Sequence, residues 1–229
     1  MEYNFDFEKV KGAVSDLMES AGGHGLDHVM RVLGFAMKIA ETEPGADANV
    51  VALIALLHDV DDYKFGGTDD LANARRVMAD AGIPDDVQAK VCEGTGQIGF
   101  GKRLAGVVPE SIEAKIASDA DMLDCGGRKG VERLYEFRPD VKLFDRNAVP
   151  QWDVAAEQYK KRSPDDTHVN HMIVKALRLK DMMLTGAGRE AMEIQRVYFI
   201  GFLRGVFDAS GAAEWNEMLG EHLGEDNVF

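Results

Sequence analysis

VVALIALLHDVDDYKF, from Val50 to Phe65, combines the most apolar run of the chain with a His-Asp doublet. Its residues from Val50 to Leu57 are all apolar, and a helix that is apolar on every side is predicted to lie at the centre of a fold. His58 and Asp59 follow and place an imidazole beside a carboxylate at the end of that helix. These two groups are common ligands of divalent metal ions. The stretch therefore predicts a buried helix that delivers two metal ligands.

The rest of the chain follows a helical pattern. Apolar residues recur with helical spacing, and no segment sustains the alternation of a half-buried strand. We therefore expect an all-α fold. With 229 residues and 45% apolar content, the chain can bury one sizeable core. We expect a single domain over residues 1–229, with the C-terminal helices packed on the core and a variable excursion near residues 138–164.

Capping residues and helix breakers locate several elements. Asp6 and Asp47 are predicted to be the N-caps of the first and third helices. One long helix is predicted from about Asp165 to Leu184. The segment from Gly94 to Pro109 is glycine-rich and is predicted to be a loop. Binding of a phosphate by the backbone amides of that loop is the less favoured alternative.

The composition argues against several classes of function. The chain carries 26 basic and 40 acidic residues, and its net charge of −14 repels nucleic acid polymers. Its two cysteines, Cys92 and Cys125, lack metal-ligand spacing and are predicted to be buried or half-buried thiols. The first residues lack the pattern of a signal peptide, and the longest apolar run is too short to cross a bilayer. We expect a cytoplasmic protein with no membrane partner.

Two other stretches can complete the site that His58 and Asp59 begin. His28 lies at the start of the second predicted helix, from which it can converge on the doublet. The run DADMLD, Asp119 to Asp124, places three carboxylates among apolar neighbours. A solvated acidic face is one explanation of that run. Buried carboxylates without a cation are costly, however, so we predict that one of them completes a divalent metal site.

These motifs resemble those of the HD-domain superfamily of metal-dependent phosphohydrolases. The family pattern of His, His-Asp and Asp stands here as His28, His58-Asp59 and Asp121. The stretches HGLDHVMRV, ALLHDVDDYKF, KIASDADMLDCGGRKGV and NHMIVKALRLKDMMLTGAGREA look like those of the small HD hydrolases related to YedJ and YpgQ. The resemblance covers roughly residues 20–207. It implies an HD-domain helical bundle.

The resemblance also implies one divalent metal ion, with Mn²⁺ or Mg²⁺ favoured and Ni²⁺, Co²⁺ or Fe²⁺ as alternatives. The implied ligands are His28, His58, Asp59 and Asp121. Asp119 is the second choice for the last ligand, because acids two positions apart on a helix point in different directions and only one should face the ion.

Further residues receive roles from the same resemblance. Asp62 would activate the attacking water or relay its proton, and Lys64 would assist catalysis and bind phosphate. His24 and His171 would line the substrate pocket, although His24 has helix capping as an alternative role. The other polar residues considered are expected to be solvated or at the surface: Asp61, His168 and His222.

The implied activity is hydrolysis of a phosphoester or phosphoanhydride in a small phosphorylated substrate. We expect a nucleotide, for example a nucleoside triphosphate cleaved to monophosphate and pyrophosphate. A metal- and nucleotide-binding sensor without turnover is the alternative, because the glycines of GTGQIGF, residues 94–100, would loosen a wall of the pocket. A mixed-valent diiron oxygenase is less favoured, since it needs extra histidines and none occurs between His58 and His168. The oligomeric state is left open, and a homodimer is compatible with the sequence.

Overall fold

A computed structural model of the protein describes residues 3–18, 25–62, 70–148 and 167–224. These residues form helices joined by turns, and no strand occurs among them. The all-α prediction is thereby confirmed. The chain divides into two compact units, residues 1–124 with 183–191 and residues 125–182 with 192–229. The prediction of a single domain stays a prediction.

The first unit is built around the apolar helix identified in the sequence. Its helices are α1 (Phe7–Met18), α2 (Leu26–Ala40), α3 (Ala48–Leu57), α4 (Ala72–Asp80), α5 (Asp85–Gln97), α6 (Phe100–Leu104) and α7 (Ile112–Asp124). Helix α3 contacts α1, α2, α5 and α7. Every residue from Val50 to Leu57 is buried. The uniform apolar surface of α3 is therefore explained by neighbours on its several sides, as predicted.

Side-chain caps begin the helices where the sequence predicted them. Asp47 accepts hydrogen bonds from the backbone N–H groups of Asn49 and Val50, at 2.9 and 3.4 Å. Asp6 accepts one from the N–H of Lys9 at 3.0 Å. Both carboxylates satisfy N–H groups that lack a partner within their helix. These two capping predictions are confirmed.

The predicted loop from Gly94 to Pro109 is wrong over much of its length. Helix α5 continues through Gly94 to Gln97, and α6 follows after Gly99, whose φ of +129° suits glycine. A Cβ on Gly94 would lie 2.6 Å from Ile54 Cδ1 and 3.2 Å from Ala114 Cβ. Gly94 is thus a packing residue that lets α5 approach α3 and α7 closely. Its presence does not indicate a flexible wall.

The second unit contains α8 (Gly127–Phe137), α9 (His168–Val174), a 3₁₀ turn (Ala176–Arg178), α10 (Leu179–Met182) and α12 (Ala213–Leu223). The long helix α11 (Gly186–Ala209) begins in the first unit and continues into the second. The core of the second unit includes Phe207 and Trp215, and the partly buried Phe144 packs against both. The ring centroids of these three residues lie 4.9 to 5.6 Å apart. None of the described helices has a stretch that is both long and apolar enough to span a bilayer.

The second unit differs from the sequence predictions in one helix and one histidine. The single helix predicted from about Asp165 to Leu184 is wrong, because α9, the 3₁₀ turn and α10 are separate within residues 167–184. His168 is buried against the ring of Tyr135 at a centroid distance of 4.7 Å, so its surface prediction is also wrong. His222 is exposed, as predicted. The excursion near residues 138–164 is described only as far as residue 148, and that part is non-helical.

Candidate metal centre

His58 is held by the helix that delivers it. It is the C-cap of α3, and its side chain is only 2% exposed. Its Nδ1 lies 2.9 Å from the carbonyl oxygen of Ala55. A carbonyl oxygen only accepts hydrogen bonds, so this contact requires Nδ1 to carry a proton and donate it. In the neutral ring, the Nε2 atom of His58 therefore presents a lone pair.

His28 is held by a different helix. It lies in the first turn of α2 and is 2% exposed. Its Nδ1 lies 2.7 Å from Oδ2 of Asp124, the last residue of α7. The carboxylate accepts this hydrogen bond, which again leaves Nε2 as the unprotonated nitrogen of a neutral ring. Asp124 also accepts hydrogen bonds from Arg31, one turn further along α2, at 2.6 and 3.1 Å.

The two histidines and two aspartates converge. The Nε2 atoms of His28 and His58 are 3.2 Å apart. Oδ2 of Asp59 lies 3.5 Å from each of these nitrogens. Oδ1 of Asp121 lies 3.6 Å from the nitrogen of His28 and 3.8 Å from that of His58. All four residues predicted as ligands thus lie in one cluster, while metal binding by them stays a prediction.

The donor set of this cluster fits a divalent metal ion. Two imidazole lone pairs that face each other at 3.2 Å repel unless a cation lies between them. The carboxylates of Asp59 and Asp121, each with a side chain about one-fifth exposed, add negative charge at the same place. Two nitrogen and two oxygen donors are a common ligand set for first-row divalent ions. His28, His58 and Asp59 alone already offer ligand atoms within 4.8 Å of one another.

Asp119, the second choice for the fourth ligand, contacts another part of the first unit. Its buried carboxylate accepts hydrogen bonds from the N–H groups of Leu184 and Thr185, at 2.9 and 2.8 Å, and from the Thr185 hydroxyl at 2.7 Å. Burial raises the pKa of the Asp119 carboxyl, and these hydrogen bonds oppose the rise. Asp119 therefore anchors Leu184 and Thr185, which immediately precede α11. The geometry favours Asp121 as the ligand.

The acids that follow the doublet have distinct surroundings. Asp61 is half-buried and accepts hydrogen bonds from the backbone N–H groups of Asn73 and Ala74, at 2.9 and 2.8 Å. It caps α4, so the prediction of a solvated side chain is wrong. Asp62 is half-buried, and its N–H donates to the carbonyl oxygen of Asp59 at 3.0 Å. The catalytic role of Asp62 stays a prediction.

For three other predicted site residues, a place beside the cluster stays a prediction. His24 and Lys64 lie outside the described residues. His171 is half-buried on α9, in the second unit, where its N–H donates to the carbonyl oxygen of Thr167 at 3.0 Å. Their proposed contacts with substrate stay predictions.

Sequence reasoning missed Arg31 altogether, and it considered Asp124 only as a possible ligand, not as a support for His28. Each follows a predicted ligand by three residues, Arg31 after His28 and Asp124 after Asp121. Residues three apart lie on the same helix face. That spacing is a signal from which supporting residues could have been predicted, although it does not reveal which of them would meet.

Comparisons with known proteins add independent information. Residues 25–126 match the family model of the HD domain. This range contains all four residues of the cluster. The uncharacterized protein YpgQ of Bacillus subtilis is 29% identical over 211 residues, which cover 83% of this chain and 86% of YpgQ.

Solved structures share the fold. A Lactobacillus plantarum protein matches with a TM-score of 0.74 and 26% identity, over 90% of this chain and 96% of its own. An HD-superfamily hydrolase from Bacillus thuringiensis matches with a TM-score of 0.69 and 25% identity, over the same shares. The structure of Bacillus subtilis YpgQ in complex with ADP has a TM-score of 0.66 and 24% identity, over 88% of this chain and 93% of that one.

Proposed function

We propose that the chain, whose residues 25–126 match the HD domain, is a metal-dependent phosphohydrolase of the HD superfamily that acts on a small nucleotide. The observation that carries the proposal is the pair of Nε2 atoms, of His28 and His58, which face each other at 3.2 Å. Both rings use Nδ1 for a hydrogen bond to an oxygen acceptor. This arrangement, flanked by two carboxylates, suits a bound cation.

The proposed ligands are His28, His58, Asp59 and Asp121. When bound, a divalent ion would supply an activated water at neutral pH and polarise a phosphoryl oxygen. We propose Mn²⁺, because nitrogen donors suit it better than they suit Mg²⁺, which prefers oxygen. Ni²⁺, Co²⁺ and Fe²⁺ are compatible with the same donors.

The remaining residues are proposed to position the substrate and move protons. Asp62 is held one turn from Asp59 by a backbone hydrogen bond of 3.0 Å, and we assign it the proton from the attacking water. Lys64 is proposed to bind phosphate and offset the charge that develops on it. His24 and His171 are proposed to line the substrate pocket. A local cation is needed at such a site because the chain as a whole carries a charge of −14.

The choice of a nucleotide is supported by a relative. YpgQ, which is 29% identical to this chain, has been crystallised in complex with ADP. Cleavage of a nucleoside triphosphate to monophosphate and pyrophosphate is our specific proposal. The sensor alternative loses part of its sequence argument, because Gly94, one of the glycines of GTGQIGF, is closely packed within α5.

The test is a panel of nucleoside mono-, di- and triphosphates with Mn²⁺, Mg²⁺, Ni²⁺ and Co²⁺, in which phosphate and pyrophosphate are measured separately. We expect turnover with at least one triphosphate, and loss of both metal binding and turnover in His58→Ala and Asp59→Ala. His222→Ala, an exposed histidine, is the control and should behave as wild type. Full activity in either cluster variant would refute the proposal. Nucleotide binding without product would favour the sensor.

A further inference from the structure

We propose that Arg31 and Asp124 are positioning residues of the metal centre, which orient His28 and hold α2 against α7. The inference rests on the metal site proposed above. It concerns two side chains that lie beside the four proposed ligands and are not themselves assigned to the metal.

His28 has two ring nitrogens, and only one can face the cluster. Its Nδ1 is 2.7 Å from Oδ2 of Asp124, whose side chain is 1% exposed. A carboxylate in this position accepts the Nδ1 proton and disfavours the tautomer in which Nε2 carries it. The contact also fixes the rotation of the ring. Asp124 therefore keeps the lone pair of Nε2 directed toward the nitrogen of His58, 3.2 Å away.

Asp124 in turn depends on Arg31. The guanidinium contacts both carboxylate oxygens, with Nε 2.6 Å from Oδ1 and Nη2 3.1 Å from Oδ2. A buried carboxylate without a charged partner is strongly disfavoured, and a planar two-point contact also sets its orientation. Oδ2 is thus shared between Arg31 and His28. Lysine, a single point of charge, cannot reproduce both contacts.

The pair also sets the spacing of two helices. His28 and Arg31 are one turn apart on α2, and Asp121 and Asp124 are one turn apart on α7. Asp124 therefore contacts α2 one helical turn away from Asp121, whose Oδ1 lies 3.6 Å from Nε2 of His28. Loss of the pair is expected to disturb the ring and the distance to the opposite proposed ligand together.

His58 supplies an internal comparison. Its Nδ1 is held by the carbonyl oxygen of Ala55, three residues earlier along the chain. That contact is local to one helix, whereas the contact of His28 depends on α7. A change at Asp124 should therefore alter the tautomer of His28 and leave that of His58 unchanged.

The same helix provides a matched control. Asp119 is also an almost fully buried aspartate of α7, but its hydrogen bonds go to Leu184 and Thr185. Asp124→Asn and Asp119→Asn remove one buried charge each from α7. If burial of a charge were all that mattered, the two variants would affect metal binding alike.

The first measurement is Mn²⁺ binding to the metal-free full-length chain by calorimetry, with folding checked by circular dichroism. We expect Asp124→Asn and Arg31→Gln to weaken Mn²⁺ binding about 10- to 100-fold. Arg31→Lys should lose less, and Asp119→Asn should keep the wild-type affinity. Equal affinity of wild type and Asp124→Asn would overturn the inference. Equal losses in Asp124→Asn and Asp119→Asn would also overturn it.

The second measurement reads the tautomers directly, by ¹⁵N NMR of the histidine side chains in the metal-free protein at about pH 8.5, where free imidazole is neutral. Wild type should show both His28 and His58 protonated at Nδ1. In Asp124→Ala, His28 should become a mixture while His58 stays unchanged. An unchanged His28 would overturn the inference. Wild type that binds Mn²⁺ but cleaves no nucleotide would refute only the proposed hydrolase activity, so the two failures are distinguishable.

Discussion

Asp119, Asp121 and Asp124 lie on one helix, yet their carboxylates have different partners. Asp121 approaches the two histidine nitrogens, Asp124 contacts His28 and Arg31, and Asp119 caps the segment before α11. Two residues along a helix correspond to a rotation of about 200°, and three residues return to nearly the same face. The direction of each side chain, and the helix it meets there, thus separates a ligand candidate from its supports.

The carboxylate of Asp61 is expected to stabilise the first turn of α4. Asp61→Ala would leave the N–H groups of Asn73 and Ala74 without the caps that they now have. We expect the free energy of unfolding to fall by about 1 kcal/mol, the usual effect of losing a side-chain cap. Urea denaturation measures this change. Asp16→Ala, at an exposed position of α1, is the control, and equal stability of the two variants would contradict the assignment.

The thiol of Cys92 is expected to react slowly with alkylating reagents. Burial raises the pKa of its thiol, so less reactive thiolate is present at a given pH. Because the pKa of this thiol is raised in the folded state, the folded protein holds the thiol proton more tightly than the unfolded chain does. The contribution of Cys92 to the free energy of unfolding is therefore constant below the pKa of the unfolded thiol, and it falls as the pH rises through the raised value. We expect iodoacetamide to label Cys92 more slowly than the half-buried Cys125, as followed by mass spectrometry in Cys125→Ser and Cys92→Ser. Faster labelling of Cys92 would contradict this expectation.

At the scale of elements, close approach of α5 to α3 is expected to depend on Gly94. Gly94→Ala would place a Cβ 2.6 Å from Ile54 Cδ1, and such overpacking typically costs about 1–3 kcal/mol. Gly96→Ala, on the same helix, meets nothing within 4 Å and should be neutral or stabilising. Urea denaturation compares the two variants. Adding Ile54→Val removes Cδ1 and should recover part of the loss in Gly94→Ala, and the absence of any recovery would contradict this packing explanation.

The segment that leads into α11 is expected to depend on Asp119. Asp119→Ala would remove the acceptor that Leu184 and Thr185 share, and buried N–H groups without an acceptor cost about 1–3 kcal/mol. We expect lower stability with Mn²⁺ affinity retained. Hydrogen exchange should show faster exchange at residues 184–188. Unchanged exchange there would show that the carboxylate does not anchor this segment.

At the scale of the whole molecule, the proposed ligands join parts of the chain that are distant in sequence. They come from α2, from the end of α3 and from α7. An ion bound by all three should protect their amides together, and binding at 100 times the dissociation constant should stabilise the folded state by about 2.7 kcal/mol. Hydrogen exchange with and without Mn²⁺ tests this, with His58→Ala as the control. Protection confined to one helix would contradict a shared site.

The sequence patterns predicted the all-α fold, the central position of α3 and a metal site that joins His28, His58-Asp59 and one acid of DADMLD. Those conclusions depend on patterns that are local in the chain: apolar periodicity, capping residues and the His58-Asp59 doublet. The sequence was misleading where one residue type serves two purposes. Glycines between Gly94 and Pro109 indicated a loop, whereas Gly94 permits helix packing.

Packing between helices determines which aspartate faces the histidines, that Asp61 caps α4 and that Asp124 joins Arg31 to His28. Each of these facts depends on where a second helix lies. Short-range patterns report the preference of the backbone and the faces of a helix, but the partner of a side chain is set by packing between residues far apart in sequence. His28 and Asp124 are 96 residues apart, and their 2.7 Å contact exists only because α2 packs on α7.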